Sequence, residues 1–217
     1  FVGVLFLSGN QALAEWGREP GENILLNGAV PHLVSDSAGG AFILSQSGLL
    51  HVDRFGNYDQ EQWWQPYHGE FYSRAWNIAQ ADNGDFFVQL EVGSDEWDQE
   101  DDEGHSVQNA HGYLQRYNRN GEILWGEEGV RVSQRRTHQS INQMISDGHN
   151  GLFVTFYEQD FSNGNQQPPY LDYASRFSAD GELLLEAEFG ENGLFGQIVS
   201  DGDGGFINVY QKAQSVR

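Results

Sequence analysis

The chain has 217 residues, enough for one large all-β domain or two small ones. Eleven Lys and Arg stand against 32 Asp and Glu, a net charge of −21 that repels phosphate backbones and anionic lipid heads and so disfavours nucleic-acid and membrane-surface roles. The absence of cysteine rules out a disulfide framework and thiolate-held zinc or iron–sulfur centres, and no apolar run approaches the ~18 residues of a membrane span.

Residues 1–7 (FVGVLFL) form an apolar run, and Ala12-Leu13-Ala14 then fits a small-x-small cleavage site. The pattern predicts that residues 1–14 are a signal-peptide remnant and that the chain is exported, to the periplasm, the cell surface or outside the cell. A buried strand of a preceding unit is the alternative reading of the same run.

From residue 15 to 217 one unit recurs. Residues 31–44 (PHLVSDSAGGAFIL) predict strand, Asp-containing glycine turn and strand, and the same design returns at 77–90 (NIAQADNGDFFVQL), 142–156 (NQMISDGHNGLFVTF) and 197–210 (QIVSDGDGGFINVY). Asp36, Asp82, Asp147 and Asp201 are expected to mark equivalent corners, spaced 46, 65 and 54 residues apart. A second module follows the first three copies, at 50–57 (LHVDRFGN), 114–125 (LQRYNRNGEILW) and 173–185 (YASRFSADGELLL). Its shared core reads as Arg54-Phe55, Arg116-Tyr117 and Arg176-Phe177, and Gly121 and Gly181 supply a tight turn before a last strand. A recurrent Arg at one slot is expected to pair with a carboxylate, the repeat Asp being the nearest in pattern.

Each unit is thus predicted to be a four-stranded antiparallel meander. Such a sheet hides both faces only by stacking on its neighbours, and blades of a β-propeller, at about 40–50 residues each, do this. The expectation is an all-β fold, a partial propeller of about three to four blades. Closure takes ~4–8 blades, so the chain reads as the N-terminal portion of a longer protein.

Between these modules lie the chemistry-bearing stretches. Trp63, Trp64 and Tyr67, in a run that continues to Phe71, Tyr72 and Trp76, suit stacking on a sugar or an apolar ligand, although packing between blades uses the same residues. Insertions fall between the second and third strands, at 94–105 (SDEWDQEDDEGH) and 158–170 (EQDFSNGNQQPPY), and should share one loop-bearing face. The first carries Trp97, a further ligand candidate, and Asp95, Asp98, Asp101 and Asp102, hard oxygen donors that can take Ca²⁺ but are out of register with an EF-hand loop. The seven histidines form no HExxH motif, and serine elbows and phosphate loops are absent.

The combination of Ser146-Asp147-Gly148, Arg116-Tyr117 and residues 121–133 (GEILWGEEGVRVS) resembles the repeats of large bacterial exported β-propeller proteins. Trp16-Gly17, followed by Asn23 and Leu26, is similar to the Trp125–Gly129 end of that repeat, so the likeness covers residues 15–217. The first unit departs from it, showing Gly56-Asn57-Tyr58-Asp59 in place of a Gly-Glu turn. The resemblance implies fold and export and brings no catalytic residues. The expected function is therefore a non-catalytic exported binding or structural module for a protein or carbohydrate ligand, without a required cofactor. A carbohydrate-active hydrolase or lyase on the same scaffold and a calcium-stabilised adhesin segment are the alternatives.

Overall fold

The computed structural model describes residues 32–45, 48–58, 73–93, 99–100, 106–107, 110–135, 137–161, 169–191 and 197–209. Among them there is no helix. Short runs of alternating apolar residues, cut every few positions by glycine turns, give strands that pair with the next strand of their own unit, and four small antiparallel sheets result beside one inserted hairpin. The first contains β1 (His32–Ser35), β2 (Ala41–Ser45) and β3 (Gly48–Val52). The second contains β4 (Ser73–Gln80), β5 (Phe86–Gly93), β8 (Ala110–Tyr117) and β9 (Val130–Arg131), with a small hairpin, β6 (Gln99–Glu100) and β7 (Ser106–Val107), inserted after β5. The third is complete: β10 (His138–Ser146), β11 (Leu152–Gln159), β12 (Leu171–Phe177) and β13 (Leu183–Glu191). The fourth comprises β14 (Gln197–Ser200) and β15 (Phe206–Val209).

The first strands of the four sheets, β1, β4, β10 and β14, touch one another in that order, so each sheet is a blade radiating from a common line. This is a partial β-propeller, as the repeat predicted. Both faces of the inner blades are buried. Phe42, Leu44 and Leu49 of the first blade pack on Ile78, Phe86, Val88, Leu90 and Tyr117 of the second. The opposite face of the second blade, with Phe87, Leu114, Trp125 and Val132, packs on Ile141, Met144, Val154, Phe156 and Phe177 of the third. Phe153 then meets Phe206 of the fourth at a ring separation of 5.0 Å. The repetition extends to irregularities. β4 and β10 each carry a bulge at the same place, between Ala75 and Asn77 and between Ile141 and Gln143. The bulged residue in β4 is Trp76, whose ring is exposed.

The strand registers correct two equivalences expected from the sequence. The residues that open the second strand of each blade, Ala41, Phe86, Leu152 and Phe206, fix the count. Five positions before them stand Asp36, Ala81, Asp147 and Asp201, so Ala81 holds the repeat corner and Asp82 lies one residue beyond it. The reason is a different turn. In the other blades the second turn residue takes a positive φ (Ser37, Gly148, Gly202), whereas Asp82 does not, and the Gly84 N–H closes on the Ala81 carbonyl instead. In the same way Val52, Tyr117 and Phe177 are equivalent, which places His51, not Arg54, in the slot of Arg116 and Arg176. Arg54 corresponds to Arg119, in the following turn. That turn is shared by all three blades, since Asp53–Asn57, Asn118–Glu122 and Ser178–Glu182 make the same backbone bond; Gly56-Asn57 is the counterpart of Gly121-Glu122.

Candidate functional site

The blades have two unlike ends. At one end lie the tight turns within each blade. At the other emerge the inserted loops and the links from blade to blade, because β5 and β11 end there, β8 and β12 begin there, and β10 starts beside them.

The turn end is closed by its own hydrogen bonds. Asp147 accepts from the N–H groups of His149 and Gly151 (2.8 and 2.7 Å) and from the Arg176 guanidinium (2.8 Å). Burial pushes its carboxyl up, and these donors outweigh burial and hold it below the ordinary value. Asp36 repeats the arrangement with Ala38, Gly40 and the His51 ring nitrogen at 3.0 Å, with the same net lowering against burial. In the second blade Asp85, at the last turn position, receives Arg116 at 2.7 Å, and both side chains are buried. Arg116 continues to the Ala179 carbonyl of the third blade, which also accepts the Trp125 indole N–H at 2.9 Å. Gln80 donates to Ser37 (2.6 Å) across the first seam, and Ser146 (2.8 Å) and the Asn150 N–H (3.1 Å) donate to Asp82 across the second. Among the described residues the expected pairing of a repeat Asp with the recurrent Arg is met by Asp147 and Arg176 alone; Arg116 takes Asp85, and His51 rather than Arg54 takes Asp36, so these carboxylates are committed to the chain itself.

The loop end is different. At the seam between the second and third blades, Arg131 of β9 donates through Nη2 to His111 Nδ1 (2.9 Å) and to the Arg135 carbonyl (3.0 Å). Because Arg only donates, His111 Nδ1 is an acceptor. His138 Nδ1 likewise accepts the Ala110 N–H at 3.3 Å. Burial lowers the His138 pKa, with Glu91 opposing and His111 reinforcing the shift, so this imidazole is neutral near pH 7. Beyond it, Arg135 pairs with Glu158 (3.3 Å) and Glu186 and lies over the Tyr173 ring at 4.3 Å. The Tyr173 hydroxyl donates to Glu188 at 3.2 Å. Glu158 is only 2 % exposed and Gln139 beneath it is wholly buried, with its Oε1 unpaired. The Arg131 Nε is also buried without a partner, a donor whose desolvation costs about 1–3 kcal/mol.

This cluster was not singled out in the sequence, although residues 131–138 (RVSQRRTH) bring three arginines and a histidine together in an acidic chain. Trp63, Trp64, Tyr67, Trp97, Asp95, Asp98, Asp101 and Asp102 lie outside the described residues, as do residues 1–14. Among the described residues no group of three or more His, Asp or Glu is arranged to hold a metal ion, and no helix is long and apolar enough to cross a membrane. No protein-family model matches the chain, and no curated protein is similar to it.

Proposed function

We propose that the chain is part of a non-catalytic, exported β-propeller module that binds a ligand at its loop-bearing end, in keeping with its resemblance to the repeats of bacterial exported propellers. The observation that carries this reading is the asymmetry of the two ends. The turn end spends its charges on its own backbone and on neighbouring blades, whereas the loop end gathers Arg131, His111, His138 and Tyr173 beside inserted loops on a rigid scaffold. Glu158 and Glu186 share Arg135 as ion-pair partner, which commits both carboxylates to a structural pair and argues against their use as the two carboxylates of glycoside cleavage. Incubation of the purified chain with a glycan array, followed by a reducing-end assay on each glycan retained, tests the proposal. Retention without cleavage is expected. Release of reducing ends would move the reading to a carbohydrate-active enzyme.

A further inference from the structure

We infer that Arg131 receives the carboxylate of a small, singly charged hydroxylated acid, a uronic acid unit being the simplest member of that class. This rests on the ligand-binding reading above and narrows it to one chemistry.

Arg116, Arg135 and Arg176 each touch a carboxylate. Arg54 and Arg119 do not, but both stand exposed in turns, where water serves. Arg131 is half-buried, and among the described residues no carboxylate lies within ion-pair distance of it. Its anchors, an imidazole nitrogen and a peptide carbonyl, are neutral. Both hold Nη2 alone, the guanidinium lies 6.0 Å from the Tyr113 ring centre, and Nη1 has no described acceptor. In a chain of net charge −21, a half-buried cation lacking a counter-ion is a place prepared for an anion.

Size and valence follow. The field of the whole molecule repels a polyanion, while one carboxylate seated on the guanidinium gains a short, charge-assisted contact that screening hardly touches. A neutral sugar would leave the charge unmatched. The same seam offers partners for hydroxyl groups: Glu186, on Arg135, and Glu188, on the Tyr173 hydroxyl, are acceptors, and the His138 imidazole, which accepts through Nδ1, carries its proton on Nε2.

Calorimetric titration of the full 217-residue chain with glucuronate, with glucose and with a short oligoglucuronate tests the inference. Glucuronate should bind at least about tenfold more tightly than glucose. Arg131→Gln should erase that preference, Arg131→Lys should keep part of it, and Arg119→Gln at the opposite end should leave it unchanged. Thermal melts confirm that each variant is folded. A terminal unit of a polymer is the source if the oligomer binds as tightly as the monosaccharide, and the free acid if the monosaccharide alone binds. Equal affinity for glucose, or an Arg131→Gln variant that still prefers glucuronate, overturns the inference. Retention of neutral glycans without glucuronate binding overturns it while sparing the binding module; retention of nothing on glycan and protein arrays overturns both.

Discussion

Asp85 and Asp147 do the same job from opposite ends of their turns. Asp147 opens its turn and reaches over Gly151, where a Cβ would stand 2.7 Å from its Oδ2; Asp85 closes its turn, in the position that Gly151 holds, behind Ala81. Each delivers one carboxylate oxygen to an arginine on the third main strand of its blade, at 2.8 Å for Arg176 in β12 and 2.7 Å for Arg116 in β8.

That equivalence can be exchanged. Asp85→Gly strands the Arg116 charge in a buried place and should cost about 3–5 kcal/mol. The triple change Ala81→Asp, Asp82→Gly, Asp85→Gly copies the third blade's turn into the second and should recover most of the loss. Urea midpoints of the two variants decide it: a triple variant no more stable than the single one would refute the exchange.

Two glycines with the same backbone separate strain from contact. Gly126 and Gly129 have φ values of 76° and 72°. A Cβ on Gly126 meets nothing within 4 Å, so Gly126→Ala should cost about 1–2 kcal/mol for the left-handed conformation alone. At Gly129 the Cβ would stand 2.5 Å from the Leu114 carbonyl oxygen, inside the β8–β9 pairing. Gly129→Ala should therefore be clearly more damaging, and a denaturation series giving equal losses would contradict this packing.

Stability should fall in two acid steps. The folded pKa of His138 is lowered, so the unfolded chain takes up its proton first as the pH drops below about 6.5, and stability declines from there through the lower folded value. Asp36 and Asp147 are also lowered, so their contribution is complete above the ordinary carboxylate value and disappears as the pH passes below it. His138→Gln should remove the first step and keep the second. Denaturation midpoints measured from pH 8 to pH 3 would show whether the first step survives in that variant.

Arg135 and Glu158 form the most costly pair to break at the loop end. Arg135→Met leaves the Glu158 carboxylate buried without its cation and should cost about 3–5 kcal/mol, whereas adding Glu158→Gln should restore a good part of that. A double-mutant cycle with no coupling would remove Arg135 from any supporting role at the seam.

The strands, their order and the blade stacking were legible because period-2 alternation and Asp/Gly turns depend only on neighbours in sequence. Equivalence across blades was less so, because side-chain identity is a poor ruler. Arg54 resembles Arg116 in type, yet Gly56, Gly121 and Gly181, all at positive φ, each stand five residues after His51, Arg116 and Arg176. Counting back from the glycines gives the register; matching arginines does not. Asp82 misleads similarly, since a turn accepts its carboxylate at either end. The loop-end cluster was hidden for another reason: Arg131, His111, His138 and Glu158 come from four strands of two sheets, β9, β8, β10 and β11, and only the seam between two blades unites them.

Ile207 of β15 is 54 % exposed, while Phe153, its equivalent one blade earlier, is 3 % exposed. Val199 and Val209 share that uncovered side of the fourth sheet. Sandwiched blades can lose amide protection only by parting from two partners, but β14–β15 needs to part from one. Among the described strands of this 217-residue chain, deuterium uptake should consequently be faster in β14–β15 than in β5 and β11, with amides of the one-sided sheet exchanging before those of the sandwiched ones.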